Sequence, residues 1–166
     1  ITLTLHQQKK VKKGILLILL CFLVQPAVSQ ENWELKADSI VKNALEQIGV
    51  PYKWGTSSPD ISFDCSGFTS YIYNASNVVC SRSSRVYSGL GMAIPLGESR
   101  KGDCIIFSGT SPGSKTPGHV GIILSHTEEE IKFIHCSSSK KHFGVVVTDY
   151  YSSGYPKRFL QIRRLF

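Results

Sequence analysis

His119-Val120-Gly121-Ile122-Ile123-Leu124 and Lys132-Phe133-Ile134-His135-Cys136 flank the acidic run Glu128-Glu129-Glu130. Two short β-branched and aromatic runs around a charged turn predict an antiparallel hairpin. Cys104-Ile105-Ile106-Phe107 predicts the strand before it, after a Gly102-Asp103 turn. Residues 108–118 form a Gly/Pro/Ser loop between the two. Gly144 to Thr148 predicts a fourth strand and Phe159 to Leu165 a fifth. Upstream the period changes. In residues 34–48, apolar positions 37, 40, 41, 44, 45 and 48 recur at helical spacing, and Gly49 and Pro51 end the run. Asp64 is a suitable N-cap for a second helix starting at Cys65, with Phe68, Tyr71 and Ile72 turned inward. Residues 49–63 read as a long ordered loop, and a short helix is expected around 83–90. Helices followed by strands predict an α+β fold, with N-terminal helices packed on a mostly antiparallel sheet of about five strands.

The chain has 166 residues, of which 42% are hydrophobic. That suits one domain with a real core and excludes a disordered or collagen-like chain. The net charge of +7 is misleading. Lys9, Lys10, Lys12 and Lys13 precede the apolar run Ile15 to Val24, and small residues follow at Ala27 and Ser29. This is the layout of a secretory signal peptide over 1–29, cut between Ser29 and Gln30, with a catalytic-sized domain over 30–166. An uncleaved anchor and a lipid-modified Cys21 are the alternatives. The apolar run is short for a bilayer span, and Leu20 stands where a lipidation site wants a small residue. Without the leader, 15 basic residues face 12 acidic ones, a net charge of +3 over 137 residues. No dense Lys/Arg stripe remains, so nucleic acid is not an expected partner. The expected location is outside the cytoplasm: periplasm, cell envelope or extracellular space. No stable membrane insertion is expected after cleavage, and the domain is expected to act as a monomer.

Cys65 is the residue with chemical promise. The first turn of a helix offers free N–H groups that favour a thiolate, and the thiol pKa is expected to fall toward neutrality if an imidazole lies beside it. A nucleophilic cysteine needs a base, and the base needs an orienting partner. His126 and His142 fall in predicted turns, whereas His119 and His135 fall on neighbouring strands. The hairpin can place one imidazole beside the other. The opposing reading is three unrelated residues, each a core filler or surface group. Cys80, Cys104 and Cys136 permit disulfides without requiring them. Cys104 and Cys136 read as small core residues, and Cys80 as a partly exposed thiol or one half of a pair. No CxxC or zinc-like Cys/His spacing occurs, and His135 and Cys136 should point to opposite faces of their strand. Trp54 reads as a brace for a cleft or as core support. Tyr150, Tyr151 and Tyr155 around Ser152-Ser153-Gly154 read as a cleft rim or a plain hairpin turn.

Several short blocks, in order, carry a resemblance. They are Tyr52-Lys53-Trp54-Gly55, Phe63-Asp64-Cys65-Ser66-Gly67-Phe68, Arg82-Ser83-Ser84-Arg85, Lys101-Gly102-Asp103, Gly118-His119-Val120-Gly121-Ile122 and Phe133-Ile134-His135. Over roughly 36–165 the chain resembles the NlpC/P60 family of bacterial cell-wall cysteine peptidases, in the papain-like superfamily. The resemblance implies Cys65 as nucleophile, His119 as general base and His135 as the orienting third residue. It implies Tyr52 as oxyanion or substrate support, Asp64 as a helix cap with substrate or loop contacts, and Ser66 as a cleft residue near the peptide's amine end. It implies no metal and no cofactor. The implied substrate is the peptidoglycan stem peptide, cut between γ-D-glutamate and meso-diaminopimelate or lysine. An N-acetylmuramoyl-L-alanine amidase and a catalytically silent wall-binding protein are the competing expectations. The chain departs from the family at Thr56, where a second glycine is usual, and at Val86-Tyr87, where a glutamine is common.

Overall fold

The computed structural model describes residues 32–111 and 113–166. The expected leader and its cleavage site lie outside the described residues. Lys36–Phe166 form one compact unit.

The first helix, α1, runs through residues 32–45 and is followed by a turn over 46–49. The predicted stripe is only partly used. Ala37, Ile40 and Ala44 are buried, while Leu45 at the helix end and Ile48 in the turn beyond it remain exposed. The second helix, α2, spans Cys65–Ala75. Asp64 is extended and its carboxylate accepts from the N–H of Gly67, the N-cap geometry its sequence position predicts.

The loop 49–63 contains a small hairpin, β1 (Ser57–Ser58) with β2 (Ser62–Phe63). The remaining strands are β3 (Met92–Ile94), β4 (Cys104–Ser108), β5 (Pro117–His126), β6 (Ile131–Ser139), β7 (His142–Asp149) and β8 (Phe159–Arg164). They form one six-stranded antiparallel sheet in the order β3-β8-β4-β5-β6-β7. The expected count of five lacks β3. That strand has three residues on the sheet edge and gives no alternating pattern to read. The helix expected around 83–90 is a single 3-10 turn at Tyr87–Gly89.

Both faces of the sheet are buried, which is why its central strands read as unbroken apolar runs. Cys104, Ile106, Val120, Ile122, Ile134, Cys136 and Val145 share one core with Phe68, Ile72 and Tyr73 of α2 and with Ile40 and Ala44. The opposite face collects Ile105, Phe107, Ile123, Ile131, Phe133 and Ile162 under Tyr150, Tyr155 and Phe159. Helices thus cover one face, as expected, and the segment leading into β8 covers the other. Arg164 of β8 reaches the fully buried Asp103 with two hydrogen bonds of 2.8 and 2.7 Å, tying the last strand to the turn before β4.

Candidate active site

Cys65 begins α2 and is 6% exposed. Its Sγ lies 3.9 Å from the carbonyl oxygen of Gly118, the residue before His119. The start of β5 therefore meets the start of α2 at this thiol. His119 and His135 are buried, at 9% and 1% exposure. Nε2 of His119 is 2.9 Å from Nδ1 of His135, and the two rings meet edge to face at 4.9 Å. Nε2 of His135 lies 2.9 Å from the hydroxyl of Thr148 on β7. The row His119, His135, Thr148 crosses three adjacent strands.

Gly121 makes the first step of that row possible. The β5–β6 register sets Ile122 against Ile134 and Ile123 against Phe133, which puts Gly121 opposite His135. A Cβ on Gly121 would sit 2.8 Å from the Ile134 carbonyl and 3.1 Å from the His135 Cβ. The missing side chain leaves the space through which the His135 ring leans diagonally toward His119. The stacked Phe133 ring, 4.8 Å away at 27°, supports His135 from its other side.

Asp64 is fully engaged. Its carboxylate accepts from the N–H groups of Gly55 and Gly67, from the Ser66 hydroxyl, and from both terminal nitrogens of Arg82 at 2.8 Å. Arg82 also donates to Ser66 Oγ and to the Thr56 carbonyl. Gly67 is required beneath this cluster, since a Cβ there would lie 2.1 Å from the Thr56 oxygen. Burial pushes the Asp64 carboxyl up, but Arg82 and the two N–H donors outweigh it and hold the group below its usual range. The fork of hydrogen bonds fixes the N-terminus of α2 to the loop that carries Tyr52. The Tyr52 hydroxyl is pushed up by its burial first, then by Cys65 and Asp64, so it stays protonated and able to donate.

The site as a whole favours neutral groups. Burial, with Asp64 adding, raises the Cys65 thiol despite the N–H groups of Ser66, Val120 and Cys65 itself. The expectation of a lowered thiol pKa is therefore corrected, because desolvation outweighs the helix N-terminus. Burial, then Arg158, lowers His119 to about 3. His135 is held well below its usual value by burial first, then by His119, Arg158 and His142.

The sequence over residues 49–164 matches the NlpC/P60 family. The chain belongs to this family of cell-wall hydrolases, within the papain-like superfamily. It is 34% identical over 89 residues to a bifunctional muramidase/DL-endopeptidase of Bacillus subtilis, covering 54% of this chain and 27% of the relative. It is 36% identical over 95 residues to a murein DD-endopeptidase of Escherichia coli, covering 55% of this chain and 34% of the relative. Among solved structures it is similar to an NlpC/P60 family protein from Bacillus cereus, with TM-score 0.68 and 27% identity over 78% of this chain and 40% of that one. The chain thus spans about a third or less of the length of these curated relatives.

The NlpC/P60 motifs converge in space. His119 and His135 share a hydrogen bond, and Cys65 lies against the residue preceding His119. Asp64 and Ser66 are joined through Arg82, and Tyr52 pairs with Phe63 at the foot of α2. Trp54 is 81% exposed, which excludes core support. Cys65, Cys80, Cys104 and Cys136 all carry free thiols; Cys104 and Cys136 are fully buried, and Cys80 is half-buried. Thr148 had no individual signal in the sequence, since it comes from an ordinary strand. Gly121 was part of a resemblance block without a role of its own, and Tyr155 belongs to the turn read as a cleft rim or hairpin turn and does line the cleft. A cleft of about 480 Å³ opens beyond His135 and Thr148, walled by Tyr155 and rimmed by Lys141, His142 and Asp149.

Proposed function

We propose that this chain is a cysteine endopeptidase of peptidoglycan stem peptides, with Cys65 as nucleophile, His119 as general base and His135 as the orienting third residue. The single observation that carries this is the 2.9 Å His119–His135 hydrogen bond, on a strand whose Gly118 carbonyl oxygen lies 3.9 Å from the Cys65 thiol at the start of α2. A strand pair built around the missing side chain at Gly121 holds the two rings together.

The geometry supports an order of proton positions. His119 can take the thiol proton on Nδ1 only if its own hydrogen sits on Nε2 and is donated to Nδ1 of His135. His135 then carries its hydrogen on Nε2 and donates it to Thr148. Because thiol and imidazole both rest neutral, the proton moves as Cys65 attacks the scissile carbonyl. The N–H of Cys65 and the Tyr52 hydroxyl are suited to the developing oxyanion. The protonated His119 gives its proton to the leaving amine. Water then attacks the thioester, again with His119 as base, and releases the acid.

The bond we assign is that between γ-D-glutamate and meso-diaminopimelate or lysine. By the family resemblance Ser66 lies near the peptide's amine end, and its hydrogen bonds to Asp64 and Arg82 hold it next to Cys65. The enzyme acts outside the cytoplasm. Digestion of purified muropeptides, with product masses measured, tests the proposal. Wild type is expected to release L-alanyl-γ-D-glutamate, free or still attached to the glycan, and Cys65→Ala to release none while remaining folded. Equal turnover by both proteins would reject Cys65 as nucleophile, and free muramic acid ends would favour an amidase.

A further inference from the structure

Residues 104–127 and 150–166 contain no aspartate or glutamate, although the chain has 12 acidic residues. Their lysines and arginines are Lys115, Lys157, Arg158, Arg163 and Arg164. Arg164 is paired with Asp103, and Arg163 donates to the carbonyls of Leu90 and Gly91. The other three converge. Lys115, in the loop before β5, and Lys157 and Arg158, in the turn before β8, line one cleft of about 300 Å³. Arg158 is fixed in place there. Its Nε and Nη2 donate to the Ser108 carbonyl at 3.2 and 2.6 Å, and its guanidinium lies 5.4 Å from the Tyr155 ring centroid. Lys115 and Lys157 are exposed. Among the described residues, none of the three cations meets a carboxylate. Like charges gathered around a concavity without a counter-charge repel one another and attract an anion.

We propose that this cleft binds the phosphodiester chain of a polyol-phosphate polymer in the cell wall. The choice of a wall polymer rests on the cell-wall hydrolase reading above. A lone carboxylate has two oxygens and is satisfied by one guanidinium fork. Three cations along one cleft instead suit charges in series, which a phosphodiester chain presents. The donors are the two ammonium groups and Nη1 of Arg158, which takes part in neither bond to Ser108. The Ser114 hydroxyl accepts from the Thr116 N–H, lines the same cleft and can give its hydrogen to a phosphate oxygen. The cleft volume is at the small end for a ligand site, which fits a short run of repeat units. Its place in the fold gives the binding a use. The loop that carries Lys115 closes where Gly109 and Gly118 pack backbone to backbone, since a Cβ on Gly118 would lie 2.6 Å from the Gly109 Cα. The carbonyl of that same Gly118 faces Cys65. A polymer held on the loop therefore keeps the thiol close to the wall and raises the local concentration of stem peptides.

The test measures binding of poly(glycerol phosphate) by titration calorimetry over a range of salt. The variant is K115Q/K157Q, which removes two exposed charges and leaves Arg158 on Ser108. The control is K42Q/K140Q, which removes two exposed lysines elsewhere. K115Q/K157Q is expected to bind about tenfold more weakly than wild type, with the slope of log affinity against log salt reduced by about two. K42Q/K140Q is expected to change affinity less than twofold. Cleavage of soluble muropeptides should be equal in wild type and K115Q/K157Q, while release of fragments from intact polymer-bearing walls should fall severalfold in the variant. Equal losses in both double variants would show an effect of net charge alone and overturn the proposal. Undiminished binding by K115Q/K157Q would overturn it too. A carboxylate polysaccharide, single-stranded DNA or phosphatidylglycerol vesicles bound as tightly as the polyol phosphate would overturn the choice of ligand. If wild-type turnover proves independent of Cys65, the hydrolase reading fails on its own, and the calorimetry still decides this site.

Discussion

The two imidazoles are the most informative residues of the site. They are neutral because they are dry, and Arg158 adds to the penalty on their charged forms. A base with its folded-state pKa near 3 is already unprotonated in mildly acidic solution. For muropeptide cleavage, kcat/KM should therefore stay level from pH 8 to about pH 5, with no inflection near the ordinary histidine value of about 6.5. An acid limb centred near that ordinary value would show that the pair is solvated in the free enzyme. The sequence named all three of Cys65, His119 and His135, since each sits in a recognisable block. It did not reveal their ionisation. Burial is a property of everything packed around a group, and here it reversed the effect expected from the helix start.

At the scale of elements, two glycines explain more than their neighbours. Gly121 on β5 clears the path of His135. Gly121→Ala should leave the sheet formed but push His135 off the pair, lowering kcat/KM about 100-fold, as an ångström of misplacement commonly does. Near-wild-type kinetics with an intact fold would show that the pair tolerates the displacement. Gly67 on α2 leaves room for the clasp of Asp64 with Arg82. Arg82→Ala would leave a buried carboxylate without its cation. Allowing for the half-exposed guanidinium, a loss of about 2 kcal/mol is expected by urea unfolding. A loss below a few tenths of that would mean the backbone donors alone satisfy Asp64. Helix α2, its cap and strands β4 to β8 were legible from period and turn chemistry. The edge strand β3 and the β1–β2 hairpin were not, because two or three residues carry no period.

The whole molecule stores its site between two cores. One core binds the sheet to the helices and holds Cys65, and the other backs the histidines with Phe107, Phe133 and Tyr155. This arrangement has a cost in acid. A histidine whose folded pKa lies below its unfolded value stabilises the fold fully above the unfolded value, about 6.5. That stabilisation is lost as pH falls toward the folded value. From pH 7 to pH 5, His119 alone should remove about 2 kcal/mol of stability, and His135 should add to the loss in the same direction. The lowered Asp64 contributes in the same sense, but only below its ordinary value of about 4. Urea midpoints at the two pH values measure this, and equal midpoints would mean the imidazoles are reached by water. By itself the sequence determined the α+β class and the helix cap, and it singled out Cys65, His119 and His135 as the candidates for the proposed chemistry, because periodicity, local hydrogen bonding and short motifs act over a few neighbours. Only the tertiary structure decided that Gly121 lets the imidazoles meet, that Thr148 and Tyr155 complete their row, and that the thiol rests protonated. Those outcomes depend on register and burial, which arise between segments far apart in the chain.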